Sequence, residues 1–273
     1  MYSYLSGDLK KEEFFIIFFG GLVMSITGFI DDMINIRPII RLFIQILIVF
    51  WGLYWIDGLS FIEESFSFKF FINMFSVVTL VWFINAFNFM DGIDGMSSSG
   101  AIFFSITIGG YLLWQGVEPL GNLLLILAFS SLAFLSFNWP PAKIFLGDAG
   151  SYFYGYLFPF VFLITTKNGD VSIWTWLIIF SYFIIDTIVT ITLRLFLVKN
   201  WYQTHHSHAY QNLARIKKSH RYVTTLVIII NIFYLLPLSL SSILYPEFGW
   251  ILFCIGISPI LVFVLRFGPL YEK

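Results

Sequence analysis

The chain contains one cysteine in 273 residues, and only 11% of its side chains are Asp, Glu, Lys or Arg. Cys254 lies inside an apolar run, so neither a disulfide framework nor a thiolate metal site is available, and packing is its expected role. Soluble domains carry roughly a quarter charged residues, so a water-soluble globular fold is excluded. A formal net charge of −1 excludes a polybasic nucleic-acid binder and an acidic disordered chain. No cleavable signal peptide is expected, since residues 1–13 are polar and no small-residue cleavage site follows the next apolar stretch.

What the chain does have is apolar surface, with 59% hydrophobic and 21% aromatic residues and a mean hydropathy of +0.86. This composition predicts an integral membrane protein: an all-α, polytopic transmembrane bundle forming one domain over residues 1–273. Runs long enough to cross about 30 Å of hydrocarbon fall near 14–30, 39–57, 70–87, 100–115, 119–137, 152–166, 173–193, 223–245 and 249–267, about nine spans. Polar or Gly- and Pro-punctuated breaks separate them, among them Arg37-Pro38, Asp91-Gly92, Trp139-Pro140-Pro141 and Pro246-Glu247.

Alternating crossings sort the connections onto two sides. One side receives Arg37, Arg41, Lys143, Arg194, Lys199, Arg215, Lys217, Lys218, Arg221, Arg266 and Lys273, which is eleven of the fifteen basic residues, against Lys10, Lys11, Lys69 and Lys167 on the other. The positive-inside rule makes the first side cytoplasmic. The recurrent polar blocks fall on that same side, so loops there are expected to form the active site. A charge at a span end must face water, protein or an ion, because facing lipid costs about 2.5–3.5 kcal/mol on insertion scales.

Each block has a bland reading and a chemical one. Asp31-Asp32 closes the first span with adjacent carboxylates, which raise one another's proton affinity unless a metal, Arg37 or Arg41 neutralises them; the alternative is a solvated helix end. In the segment 85–95, Asn88 and Asp91 share a face if the helix continues, and Asp91 and Asp94 offer hard oxygens of the kind Mg²⁺ accepts. Helix capping would use fewer Asx residues than this segment supplies. Gly147-Asp148-Ala149-Gly150 places a carboxylate at a helix start, where free N–H groups suit an anion and the acid suits a cation; an ordinary N-cap is the competing reading.

All four histidines, His205, His206, His208 and His220, lie between Trp201 and Arg221. His205 and His208, three apart, suit one shared ligand. Without HExxH spacing or a nearby cysteine, and with Arg215, Lys217, Lys218 and Arg221 around them, an anion or lipid headgroups fit better than zinc. Asp186 offers either a buried functional acid or a partner for Arg194, about two helical turns on, and structural support is its expected role.

Four blocks in order, GFIDDM (28–33), NAFNFMDGIDGMSSSG (85–100), FNWPPAKIFLGDAGSYFYG (137–155) and HHSHAYQNL (205–213), resemble the polyprenyl-phosphate N-acetylhexosamine-1-phosphate transferases of glycosyltransferase family 4. The histidine block is most similar to the O-antigen-initiating sub-group that transfers N-acetylfucosamine- or N-acetylquinovosamine-1-phosphate, with His206 where an arginine is typical. The resemblance implies transfer of a sugar 1-phosphate from a UDP-sugar to undecaprenyl phosphate with release of UMP. Such a reaction would start O-antigen or another cell-envelope polysaccharide at the bacterial inner membrane.

The resemblance further implies Mg²⁺ on Asp94 and Asp148, with Asn88 and Asp91 beside the diphosphate. It makes Asp31 the base on the lipid phosphate with Asp32 as its partner, and gives Arg41, Lys143, His205, His206 and His208 phosphate or sugar contacts. Membrane lipids and an optional second copy of the chain complete the expected partners; no nucleic acid is among them. Family members carry two further spans and a loop upstream, so the chain is expected to lack the family's first two spans. The family's lysine after the Asp-Asp block appears as Arg41, which keeps the charge but not the compact cation. A transporter is the rival from another class, but it predicts acids near the midplane and inverted repeats. An inactive, truncated family member is the second rival.

Overall fold

The computed structural model describes residues 10–56, 66–197 and 208–269, and every regular element among them is helical. Eleven helices organise the described chain: α1 (Lys11–Ile34), α2 (Pro38–Trp55), α3 (Phe66–Met90), α4 (Met96–Trp114), α5 (Glu118–Asn138), α6 (Gly147–Lys167), α7 (Ile173–Ile179), α8 (Ser181–Leu197), α9 (Ala209–Lys217), α10 (His220–Leu244) and α11 (Gly249–Phe267). Seven of them are long and apolar enough to cross a membrane, and α7 with α8, bent by 71° at their break, makes an eighth candidate span. The protein is therefore a multi-pass membrane protein. Of the nine expected spans, the one near 152–166 corresponds to α6, which lies outside that count.

The chain divides into two compact units. The first comprises residues 1–88, 108–125 and 146–171; the second comprises 89–107, 126–145 and 172–273.

In the first unit, α6 packs along α1. The two backbones meet at Gly28, where a Cβ would stand 2.1 Å from the Asp148 carbonyl oxygen, so only glycine permits this approach. The inner face of α6 is aromatic, with Tyr152, Tyr156, Phe158 and Phe160 fully buried. Phe158 stacks on Phe87 of α3 at 5.7 Å between centroids. On α2 the residues Ile39, Phe43, Leu47, Phe50 and Tyr54 form an exposed stripe at helical spacing, while Gln45, Val49 and Leu53 are buried. An apolar face left outward is what a lipid-facing helix needs, because lipid tails impose no penalty on it.

Local signals account for the helix ends. Pro38 begins α2, where its missing N–H is not needed. α1 ends on Asn35 in the left-handed region (φ 50°), a conformation the short polar Asn tolerates. A π-helical stretch, Phe15–Gly20, interrupts α1.

In the second unit α8 packs on α11, and α7 packs on α11 and the second half of α10. Ser172 caps α7 by accepting from Trp174 N–H, and Ser219 caps α10 by accepting from Tyr222 N–H at 3.1 Å. Within the apolar interior the Thr175 and Ser242 hydroxyls pair with each other, 2.8 Å apart. The end of α5 is tied down by Asn138. Its side-chain oxygen accepts from Gly95 N–H at 3.0 Å and from the Ser98 hydroxyl at 2.7 Å, and its amide donates to the Ile144 carbonyl.

Candidate active site

In the first unit, four of the sequence blocks' acids and amides converge through α1, α2, α3 and α6. Asp31 is 3% exposed at the end of α1. Its Oδ1 accepts from Ile36 N–H at 2.7 Å, and its Oδ2 accepts from the Arg41 guanidinium at 3.0 Å and from the Tyr152 hydroxyl at 2.8 Å. A carboxylate can be buried this deeply because both oxygens have donors and Arg41 balances its charge. One donor on Oδ1 and two on Oδ2 fix Asp31 in place, and it in turn anchors Arg41 and Tyr152.

Asp32 points the other way and is exposed. It accepts from the backbone N–H groups of Asp148 and Ala149 at 3.0 and 3.2 Å, capping the first turn of α6. The N–H groups that the sequence offered to an external anion are thus taken by a carboxylate of the chain itself. Gly147 makes this possible: it sits at φ +67°, and a Cβ there would lie 2.6 Å from Asp32 Oδ2.

Asp148 completes the cluster. Asn88 donates to its Oδ1 at 2.5 Å, the Tyr152 hydroxyl lies 3.4 Å from its Oδ2, and Arg41 stands 4.0 Å from the same oxygen. Burial pushes the Asp148 carboxyl up from 3.8 to about 6, its hydrogen bond with Asp31 and the charges of Asp32 and Asp31 push it the same way, and the Asn88 amide opposes them. Its side chain remains 26% exposed, so one side of it is reachable. Ser151 and Tyr152, which the sequence did not single out, extend the same network: Asn88 also donates to the Ser151 hydroxyl at 3.2 Å. The signal for them was present in GDAGSY, where positions three and four beyond Asp148 return to its helical face.

In the second unit, α3 ends at Met90, so Asp91 and Asp94 lie in the turn that follows and not on a continuing helix. Asp94 Oδ2 accepts from Ala142 N–H at 3.1 Å, Oδ1 stands 3.3 Å from His220 Nδ1, and its carbonyl accepts from the Thr224 hydroxyl at 2.8 Å. Asp94 lines a cavity of about 560 Å³ together with Gly92, Pro140, Pro141, Gln211, Arg215, Lys218, His220 and Arg221. Three permanent cations around one open volume suit an anionic ligand. Lys143 is exposed on the loop following α5.

His208 is 1% exposed, so the structure places it in the interior of this unit. It packs beside the rings of Phe89 and Tyr210, with Nδ1 3.4 Å from Asp186. Asp186, also fully buried, accepts from Ala209 N–H at 3.1 Å and Tyr210 N–H at 3.4 Å, so it caps α9. The expected roles of His205 and His206 fall outside the described residues.

Of the two acids expected to hold Mg²⁺, Asp148 belongs to the first unit and Asp94 to the second. Among the described residues no three His, Cys, Asp or Glu side chains group into a metal cage. The donors do fit magnesium in kind, since this ion takes one or two carboxylate oxygens and fills its remaining positions with water and phosphate. Asp148 in the first unit and Asp94 in the second each offer an oxygen of that kind.

The fold and these clusters define a polytopic helical membrane protein with acids at helix ends beside cations. The profile of Glycosyl transferase family 4 matches residues 14–166, and the chain belongs to that family. It is 29% identical over 234 residues to a probable undecaprenyl-phosphate N-acetylglucosaminyl 1-phosphate transferase of Bacillus subtilis (strain 168), covering 83% of this chain and 65% of that protein. It is 27% identical over 249 residues to the undecaprenyl-phosphate alpha-N-acetylglucosaminyl 1-phosphate transferase of Thermotoga maritima, covering 90% of this chain and 76% of the relative. A phospho-N-acetylmuramoyl-pentapeptide-transferase of Streptococcus gordonii is 35% identical over 167 residues, covering 54% of this chain and 49% of its own. The chain thus spans about half to three quarters of the length of these relatives.

Proposed function

We propose that this protein transfers an N-acetylhexosamine 1-phosphate from a UDP-sugar to undecaprenyl phosphate at the cytoplasmic face of a bacterial inner membrane. The reading rests on one observation above the others: the Asp31–Arg41–Tyr152–Asp148–Asn88 network is assembled from three of the family's blocks and leaves Asp148 partly open. The names of the relatives supply the chemistry.

A lipid phosphate oxygen attacks the β-phosphorus of the donor, and the bond from that phosphorus to the bridging oxygen breaks. UMP leaves with the bridging oxygen and the electron pair, and the lipid diphosphate sugar remains. Catalysis of such a transfer is mainly positioning and charge stabilisation. Arg41, oriented by Asp31, presents a fixed cation to phosphate oxygens, and Tyr152 holds the two acids in register. The cavity with Arg215, Lys218 and Arg221 would receive the anionic donor, with Lys143 available from its loop. A divalent cation, when bound, would supply charge neutralisation on the diphosphate and the leaving phosphate.

The test is transfer of radiolabel from a panel of UDP-N-acetylhexosamines to undecaprenyl phosphate, with UMP release measured in parallel. Labelled lipid and UMP in equal amounts support the reading. UMP without labelled lipid, or neither product with any donor, counts against it.

A further inference from the structure

From the contacts around Asp186 and Tyr210 we infer that these two residues are positioning residues for the loop that carries Asp91 and Asp94, acting through the first turn of α9. The inference rests on the transferase reading only for its kinetic consequence; the structural coupling stands apart from it.

Asp186 is completely buried in α8, where a carboxylate is costly to keep unless its partners are fixed. Its oxygens receive the Thr190 hydroxyl at 3.1 Å from its own helix, and Ala209 N–H and Tyr210 N–H from α9. His208 Nδ1 stands 3.4 Å away. A negative charge at the start of α9 meets its first N–H groups and the positive end of the helix dipole, so Asp186, with Gln211 accepting from His208 N–H at 3.3 Å, fixes where α9 begins.

The residue so placed is Tyr210, whose ring is buried among the same elements. Its hydroxyl donates to the Phe89 carbonyl and accepts from Gly92 N–H at 3.0 Å. One oxygen therefore bridges the last turn of α3 and the loop after it. Burial pushes the Tyr210 phenol well above its ordinary range, so it keeps the proton that this bridge requires. The space is tight: a Cβ on Gly92 would lie 2.3 Å from that hydroxyl and 2.2 Å from Gln211 Nε2. Two residues beyond Gly92, Asp94 enters the cavity. Its backbone carbonyl is held by Thr224, and the Tyr210 bridge fastens the loop on the approach side. The order of dependence is thus Asp186, the α9 start, the Tyr210 hydroxyl, the Phe89–Gly92 backbone and the Asp94 carboxylate.

Hydrogen–deuterium exchange of the purified full chain in detergent tests the coupling, with Tyr210→Phe, Asp186→Asn and their combination. Tyr210→Phe removes only the bridging hydroxyl, so peptides covering 89–96 should exchange about tenfold faster while α11 peptides stay protected. Asp186→Asn should give the same change in 89–96, and the double variant no more than Tyr210→Phe alone. If Asp186→Asn does not fold, Thr190→Val weakens the same carboxylate and takes its place. Unchanged exchange in 89–96, or effects that multiply in the double variant, would overturn the inference.

In the transfer assay, Tyr210→Phe should lower turnover about tenfold and raise the divalent-cation concentration for half-maximal rate. A purely structural role would instead lower the active fraction and leave that concentration unchanged. Should the unaltered protein transfer nothing, the transferase reading fails while the exchange result still decides the coupling.

Discussion

Asp32 caps the helix that presents Asp148: its carboxylate takes the N–H of Asp148 itself at 3.0 Å and of Ala149 at 3.2 Å. One acid of the first block thereby fixes the backbone of the acid in the third, 116 residues away. An acid pair that reads in sequence as two equivalent carboxylates divides its work in the fold. Asp31 holds a cation and a phenol, and Asp32 holds a helix end.

This division gives Asp32 a measurable structural role. Asp32→Ala should cost about 1 kcal/mol of stability as a lost N-cap, seen as a lower thermal midpoint in detergent, and should reduce transfer by displacing Asp148. Gly147→Ala should do at least as much damage, because a side chain at φ +67° costs about 1–2 kcal/mol and its Cβ meets Asp32. Normal stability and turnover in Gly147→Ala would contradict the cap.

The raised Asp148 carboxyl predicts a pH dependence. With its value near 6 in the folded protein against 3.8 as the ordinary one, a proton competes with any cation for this oxygen up to about pH 6. Divalent-cation affinity and turnover should therefore rise as pH increases through about 6. The sign for stability is opposite: the folded state holds this proton more tightly, so the metal-free protein loses stability as pH rises from about 4 through about 6. Asn88→Ala removes a hydrogen bond that lowers the Asp148 value and should move the rate midpoint to higher pH. A midpoint unmoved by Asn88→Ala, measured over pH 5–8, would break this account.

Charge reversal tests the cavity of the second unit. Lys218→Glu and Arg221→Glu place negative charge where an anionic donor would enter, so donor KM should rise about tenfold for each while KM for the lipid phosphate stays within about twofold. The effect should shrink at high salt. Equal effects on both substrates would argue against a donor cavity.

Membrane sidedness follows from the distribution of basic residues. In a Cys254→Ser background, a cysteine introduced by Ser207→Cys should react with an impermeant maleimide only from the cytoplasm, and one introduced by Ser60→Cys only from outside. Labelling of both from one side would change the number of crossings between them.

Much of the helical layout is legible without coordinates because a lipid environment writes it into composition. Apolar runs separated by Pro, Gly and charge gave all the long helices, and the bend between α7 and α8 was the part periodicity did not show. The candidate site was legible as far as its acids cluster in short blocks: Asp31, Asp32, Asn88, Asp94 and Asp148 stand out because charge is rare in this chain. Tyr152 and Tyr210 did not stand out, since a tyrosine in a chain with fourteen of them carries no signal. His208 stood out by its spacing from His205, yet the fold buries it beside Asp186.

By itself, then, the sequence determined that the chain is a helical membrane protein and which carboxylates stand out as candidates, because period, hydropathy and rarity of charge are local properties. Only the tertiary structure decided what each carboxylate does. That depends on which donors reach it from distant helices: Arg41 and Tyr152 to Asp31, the start of α6 to Asp32, Asn88 to Asp148, and the start of α9 to Asp186. Whether an acid is an anchor, a cap or an open ligand is set by which donors already reach its oxygens, and contacts from other helices, up to 121 residues away, leave no local pattern to read.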